Sequence, residues 1–355
     1  MKNLIQIKRK ELGLKVYDLA NSISVDPSLM SRIISGKRRA TKTQLRKLSE
    51  VLGIDYYQLL KESLSQEIIA LLSPYPQIAA DVVEVAEERI AYLSGDEKFK
   101  IINLSQKVKN LLDEASKLNN NWKQKKPLNE IQLEKMKEYF HTAYTFESNR
   151  IEGNTLTLNE THMVINEGVT IGGKSMREHL EAINHQEAID LIHDFVMNKV
   201  HFNAFYLKQI HHLVLKGIDK KYAGVYRNVP VRISGSAHVP PEPYMIEKMM
   251  EDYFLFYETQ RKVLHPIILA AEMHERLVSI HPFIDGNGRT SRLVMNLILL
   301  QNGYTLVNLK GDLDCRLKYY KALESVQVNH EKEDFHALIT SHAVESLKEH
   351  IHLAG

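Results

Sequence analysis

The sequence predicts a mainly α-helical protein, in which a small helical domain precedes a larger all-helical core that carries one short β-hairpin. Apolar residues return every three or four positions through most of the chain, with Gly and Pro between the periodic runs, which is the pattern of amphipathic helices. Only residues 225–233 mix β-branched with polar residues as a strand does. Ser234-Gly235-Ser236 can turn that chain back on itself, and Pro240, Pro241 and Pro243 end the strand pattern.

Residues 4–60 divide into about five short helices, broken at Gly13, at 24–27, at 35–39 and at Gly53. Residues 67–118 alternate apolar stripes (Val82, Val85, Ala86, Ile90, Leu93) with charged faces and predict two or three connecting helices. The polar stretch 119–127 predicts a boundary, so the expected domains are 1–62, a connecting region 63–126, and 127–350. A helix over 131–151 is expected to stop at Gly153, and Thr157 and Glu160 are spaced as the capping box of the next helix.

Composition narrows the function. The longest apolar runs fall short of the roughly 18 residues of a membrane span, and Met1 to Lys10 lacks a signal-peptide core, so a cytoplasmic protein with no membrane partner is expected. The single cysteine, Cys315, excludes an intrachain disulfide and a cysteine-based zinc cluster. Residues 1–62 carry 13 Lys and Arg against 6 Asp and Glu, whereas the remainder carries 33 against 38. The small domain is therefore the part suited to a polyanion.

Within that domain, residues 17–20 begin one helix, 24–26 turn, and 27–34 form a second helix with Leu29, Ile33 and Ile34 inward. Pro27 suits a first helical turn, where its missing N–H is not needed. Ser28, Met30, Ser31 and Arg32 are then expected outward, able to reach base edges. Arg32, Lys37, Arg38, Arg39, Lys42, Arg46 and Lys47 come in sequence without an intervening acid and suit phosphate contacts. The stretch resembles the Cro and phage-repressor type of helix-turn-helix, which implies DNA as partner and a homodimer on a palindromic site. A basic domain that instead binds protein remains the alternative.

The chemistry concentrates in residues 280–292, Ile-His-Pro-Phe-Ile-Asp-Gly-Asn-Gly-Arg-Thr-Ser-Arg, between apolar helical patterns over 267–279 and 290–300. Gly286 and Gly288 let backbone approach a ligand closely, and the loop opens into a helix N-terminus, where free N–H groups favour anions. Arg289 and Arg292, three residues apart, can grip oxygens over the same helix end. Asp285 can hold Mg²⁺ beside phosphates, and His281, with its ordinary pKa near neutrality, is a candidate general base.

This ordered set resembles the Fic signature, His-x-Phe-x-Asp/Glu-Gly-Asn-Gly-Arg-x-x-Arg, at each defined position, and the resemblance extends from about Glu130 to Gln327. It implies transfer of AMP from ATP to a Ser, Thr or Tyr hydroxyl of a protein target. His281 would deprotonate the hydroxyl, and Asp285 would hold Mg²⁺. Asn287 with the backbone of Gly286 and Gly288 would form an anion hole, Arg289 would support the β-phosphate and Arg292 the γ-phosphate. Phe283 reads as core. Phosphorylating Doc-type relatives carry Asn-Lys where this chain has Asn287-Gly288, which favours AMP transfer. Tyr320 and Gln327 resemble the adenine-side element. Val231, Arg232 and Ile233 lie in a stretch resembling the flap that pairs with an extended target.

Ser148-Asn149-Arg150-Ile151-Glu152-Gly153-Asn154 resembles the family's inhibitory motif, Ser/Thr-x-x-x-Glu-Gly/Asn. Glu152 is a carboxylate at a helix C-terminus, where the dipole disfavours it and a cation is wanted. The resemblance implies that Glu152 pairs with Arg292, that Ser148 steadies Glu152, and that removal of AMP is a second activity. The competing functional reading is a transcriptional regulator that uses the nucleotide pocket as a sensor without catalysis.

Overall fold

The computed structural model describes residues 2–83, 102–125 and 128–355. The chain divides into two compact units, Met1–Ile101 and Ile102–Gly355.

The first unit contains α1 (Lys2–Glu11), α2 (Val16–Ser22), α3 (Pro27–Ile34), α4 (Lys42–Leu52) and α5 (Tyr56–Leu72). Local chemistry sets their limits. Asp26 accepts the N–H groups of Ser28 and Leu29 ahead of α3, with Pro27 at the first turn. Thr41 and Gln44 form a capping box at α4, and Gly53 ends that helix in the left-handed region at φ 62°. Ile5, Leu19, Ile23, Met30, Ile33 and Leu48 form the core. Met30 is buried, contrary to the outward position expected of it, and Leu29 is only partly covered. The reason is register: Met30, Ile33 and Ile34 share the inner face at three- and four-residue spacing. The apolar positions Val85, Ala86, Ile90 and Leu93 lie outside the described residues.

The second unit begins with α6 (Gln106–Gln124) and α7 (Glu130–Ile151). It continues with α8 (Leu158–Asn166), α9 (Met176–Met197), α10 (Ala204–Val214), α11 (Ile246–Gln260), α12 (Pro266–Ile280), α13 (Asn287–Gln301), α14 (Leu313–Asn329) and α15 (Glu333–Leu353). The division between the two units falls at Ile101/Ile102, within the expected connecting region 63–126. The polar stretch from Asn119 is the last turn and a half of α6, whose other face buries Val108, Leu112, Ala115 and Trp122 against the main core. Polarity there marks a helix with one solvated face rather than a linker.

The paired helices α12 and α13 form the centre of this unit. Both are buried nearly all round, with Ile267, Ala271, Met273, Leu277, Leu293, Leu297 and Ile298 at 0% exposure, so the loop joining them is held from both sides. Among the described residues no strand forms, and the segment expected as a hairpin (residues 225–239) is irregular chain with a turn at Ser234-Gly235. A side chain takes the place of a ladder. The buried Arg227 donates Nη1–H to the carbonyl of Val229 (3.0 Å) and Nη2–H to that of Pro241 (2.6 Å), spanning the base of the segment.

Candidate active site

Helix α12 ends where His281 turns into the left-handed region at φ 50°, its N–H bonded to Leu277 O at 2.9 Å. A non-glycine residue there is strained and must be held by its surroundings. Several contacts hold it. Arg227 donates Nε–H to His281 O at 2.7 Å, and its own backbone N–H goes to Pro282 O at 2.8 Å. Asn287, at the head of α13, accepts Phe283 N–H (3.0 Å) and donates to Phe283 O (2.9 Å), closing the loop on itself. The Phe283 ring, fully buried, stacks on His211 with centroids 3.6 Å apart. His211 donates Nε2–H to Asp285 O (2.9 Å) and accepts Gly224 N–H at Nδ1 (2.8 Å), so both ring nitrogens are fixed. Gly286, at φ 76°, approaches His211 and Val214 so closely that a methyl group would sit 3.2 Å from Val214 Cγ1.

Burial, with Arg227 and His238 nearby, lowers the His281 pKa to about 4. The imidazole is therefore neutral at physiological pH. With Nδ1 3.3 Å from Val278 O and donating there, Nε2 keeps a free lone pair. A neutral, partly exposed imidazole at the mouth of a loop is the form a general base requires.

The head of α13 presents N–H groups and two buried guanidinium groups, Arg289 at 2% and Arg292 at 1% exposure. Arg289 Nη1 lies 3.3 Å from Glu181 and Nη2 lies 3.6 Å from Asp285. Arg289 Nε and Arg292 Nη1 have no hydrogen-bond partner, although they are buried. Buried donors left open in this way are costly, and an anion with several acceptor oxygens satisfies them. The Asp285 carboxyl is half exposed. Burial alone raises its pKa, but Arg289, the Gly286 N–H at 2.6 Å and Arg177 at 2.6 Å outweigh this and hold it ionised.

Glu152 reaches this cradle from the end of α7. Its Oε1 accepts Arg292 Nη2–H at 2.7 Å. The same oxygen lies over Gly288, where a methyl group would collide with it. Gly153, at φ 95°, ends the helix one residue on. Ser148 grips the arginine rather than the glutamate: Arg292 Nε–H goes to Ser148 Oγ (2.9 Å) and Nη2–H to Ser148 O (2.8 Å). Asn287, likewise, faces the loop backbone with its side chain and leaves only its main chain toward an anion.

Tyr320, on α14, approaches the same region and donates its hydroxyl to Ile151 O at 2.9 Å. Gln327 lies two turns further along α14, half-buried. Val231, Arg232 and Ile233 lie on the irregular segment before the Ser234-Gly235 turn, which is tied down where Ala237 N–H meets Glu324 on α14 at 3.1 Å. Ser28, Ser31, Arg32, Lys37, Arg38 and Arg39 are all exposed on or just after α3, with Arg39 3.4 Å from Glu67.

Sequence reasoning missed four residues of the site: His211, Arg227, Arg177 and Glu181. Each lies far along the chain from the loop it touches, and each acts through a contact that periodicity does not encode.

Fold and site together define a helical protein with an anion cradle at the head of α13, preceded by a helix-turn-helix unit. Residues 201–299 match the Fic/DOC family and residues 5–59 match a helix-turn-helix family. The chain is a Fic-domain protein with an N-terminal helix-turn-helix of the Cro and repressor type. It is 39% identical over 196 residues to the protein adenylyltransferase Fic of Nematostella vectensis, which covers 54% of this chain and 44% of the relative. It is 33% identical over 249 residues to the protein of the same name from Drosophila virilis, covering 70% of this chain and 46% of the relative. The chain thus spans less than half the length of these curated relatives. Among solved structures, a Fic domain containing signaling protein from Bacteroides thetaiotaomicron aligns at TM-score 0.61 and 25% identity, over 68% of this chain and 96% of that one. Fic-1 from C. elegans aligns at TM-score 0.62 and 24% identity, over 92% of each chain, a likeness of fold.

Proposed function

We propose that this protein is an autoinhibited adenylyltransferase that moves AMP from ATP to a Ser, Thr or Tyr hydroxyl of a protein target. The observation that carries the reading is a neutral His281 beside a cradle of buried, open guanidinium donors, one arm of which is capped by Glu152. His281 Nε2 takes the proton of the target hydroxyl as its oxygen attacks the α-phosphorus in line. The new P–O bond forms as the bond to the leaving pyrophosphate breaks. The N–H groups at the head of α13, with Arg289 and Arg292, carry the β- and γ-phosphate charge.

Asp285 suits Mg²⁺. It is ionised and half exposed, and among the described residues no three acidic, imidazole or thiol groups converge on a cation. That donor set fits an ion held by one carboxylate together with phosphate oxygens and water. The ion would neutralise phosphate charge during transfer. Arg177, now on Asp285, must yield for it to bind.

With Glu152 on Arg292, the γ-phosphate loses its grip and ATP lies in an unreactive pose. Removal of AMP is a second activity of the same site. The relatives named protein adenylyltransferase support the reading over the share of the chain they cover. A sensor that binds nucleotide without catalysis needs the phosphate grips but has no use for a neutral His281. Exposed Arg32 at the end of α3 and Lys37, Arg38 and Arg39 just after it support binding of DNA, and the resemblance to repressor-type domains suggests a two-fold dimer on a palindromic site. Mass spectrometry of a lysate treated with Glu152→Gly protein and ATP tests the activity. An AMP adduct on a hydroxyl side chain, absent with the Glu152→Gly/His281→Ala protein, is expected; no adduct in either sample rules against it.

A further inference from the structure

The braking turn at the end of α7 is held on two sides. From inside, Arg292 binds Ser148 and Glu152. From outside, the loop before α14 closes on the same turn. Gly311 donates its N–H to Glu147 Oε2 at 2.7 Å, and Lys310 Nζ lies 3.8 Å from Glu147 Oε1. The approach leaves no room for a side chain. A methyl group at Gly311 would lie 2.9 Å from Glu147 O, 3.0 Å from Arg150 Cβ and 3.1 Å from Ile151 N. These are atoms of the α7 backbone and the stem of one side chain, which cannot swing aside as a flexible side-chain end can. Gly311 does not have positive φ, so close approach rather than backbone freedom is what requires glycine here.

We infer that Gly311 and Glu147 form an external latch that sets the position of the braking turn, and with it the strength of the Glu152 hold on Arg292. The inference rests on the proposed autoinhibition for its functional consequence, though not for its structural content. Glu147 lies five residues before Glu152, and the turn between them is short and hydrogen-bonded throughout, Glu152 N–H to Asn149 O at 3.0 Å and Gly153 N–H to Arg150 O at 3.1 Å. A displacement at Glu147 and Ile151 is therefore transmitted to Glu152. Neither Gly311 nor Glu147 touches the cradle, so both act as positioning residues.

Two readouts on the full chain test this, amide hydrogen exchange across residues 148–154 and AMP incorporation from labelled ATP. Gly311→Ala and Glu147→Gln are each expected to speed exchange at Glu152, Gly153 and Asn154 while leaving α12 and α13 protected. Both are expected to raise AMP incorporation about fivefold or more when Glu152 is present, and to leave it unchanged in the Glu152→Gly background. Unchanged exchange at 148–154 in both variants overturns the latch, and so does faster exchange spread over the whole unit. An equal rise in the Glu152→Gly background also overturns it, since the effect then bypasses the brake. Localised faster exchange with no AMP incorporation by any variant supports the latch as structure and overturns the transfer reading instead.

Discussion

Glu152 Oε1 lies 2.7 Å from Arg292 Nη2 and directly over the Gly288 backbone, so one carboxylate oxygen sits on the helix end that the loop otherwise leaves open to an anion. The pair joins residues 140 positions apart and is only partly shielded, the Glu152 side chain being 33% exposed and that of Arg292 1%. Its removal therefore has two consequences of opposite sign. Without nucleotide, Glu152→Gly leaves a buried guanidinium with an open donor, which is expected to cost about 1–3 kcal/mol of stability. With ATP bound, phosphate oxygens satisfy the same donor. Thermal denaturation with and without ATP is expected to show a larger nucleotide-induced rise for Glu152→Gly than for the unaltered protein.

The proposed transfer takes its pH dependence from His281 as base. Its pKa is lowered to about 4, chiefly by burial, so the base stays neutral well below the usual histidine range. The acid limb of AMP transfer by Glu152→Gly protein is expected at or below about pH 4 rather than near the usual histidine value, since Glu152 itself raises the His281 pKa. Stability behaves differently. His141 and His274 are buried with pKa values lowered to about 3, so the folded form resists protonation that the unfolded chain accepts. Their contribution is complete above about pH 6.5 and is lost as pH falls from there toward 3, by up to roughly 1.4 kcal/mol per pH unit for each. Denaturant titrations between pH 8 and 4 check the slope.

Asn287 closes the signature loop through two bonds to the Phe283 backbone, both buried. Asn287→Ala is expected to cost roughly 2–3 kcal/mol, because the Phe283 N–H and C=O lose their partners away from water. Nucleotide binding is expected to weaken with it, since the loop shape is then no longer fixed. Chemical denaturation and ATP titration by calorimetry measure the two effects separately.

For the N-terminal unit, replacing Arg32, Lys37 and Arg38 by alanine in turn is expected to weaken DNA binding by a similar factor on every sequence. Each phosphate-binding side chain removed is expected to reduce the slope of log affinity against log salt by about 1. Ser28→Ala and Ser31→Ala are expected to change sequence preference instead. Fluorescence anisotropy over a salt series separates these outcomes.

Much of this protein was legible because its chemistry is local. Thr157 with Glu160, Pro27 and Gly53 set helix limits through contacts within a few residues, and the structure places them as capping, first-turn and stop signals. The loop from His281 to Arg292 was legible for the same reason. Long-range contacts were hidden. His211 orients the loop from 74 positions away, and Arg227 anchors it from 54. The polar stretch 119–127 reads as a boundary, and its residues up to Gln124 are the end of α6, because a polar run hides a helix whose other face buries Trp122. Residues 225–239 misled because β-branched composition carries no information about whether a partner strand exists.

The most direct test of autoinhibited transfer is incorporation of α-phosphate-labelled ATP into protein by the unaltered chain, Glu152→Gly, and Glu152→Gly/His281→Ala. Low labelling by the first, at least about tenfold more by the second, and none by the third are the predicted results. Equal labelling by the first two would contradict the brake, and undiminished labelling by the third would contradict His281 as the base.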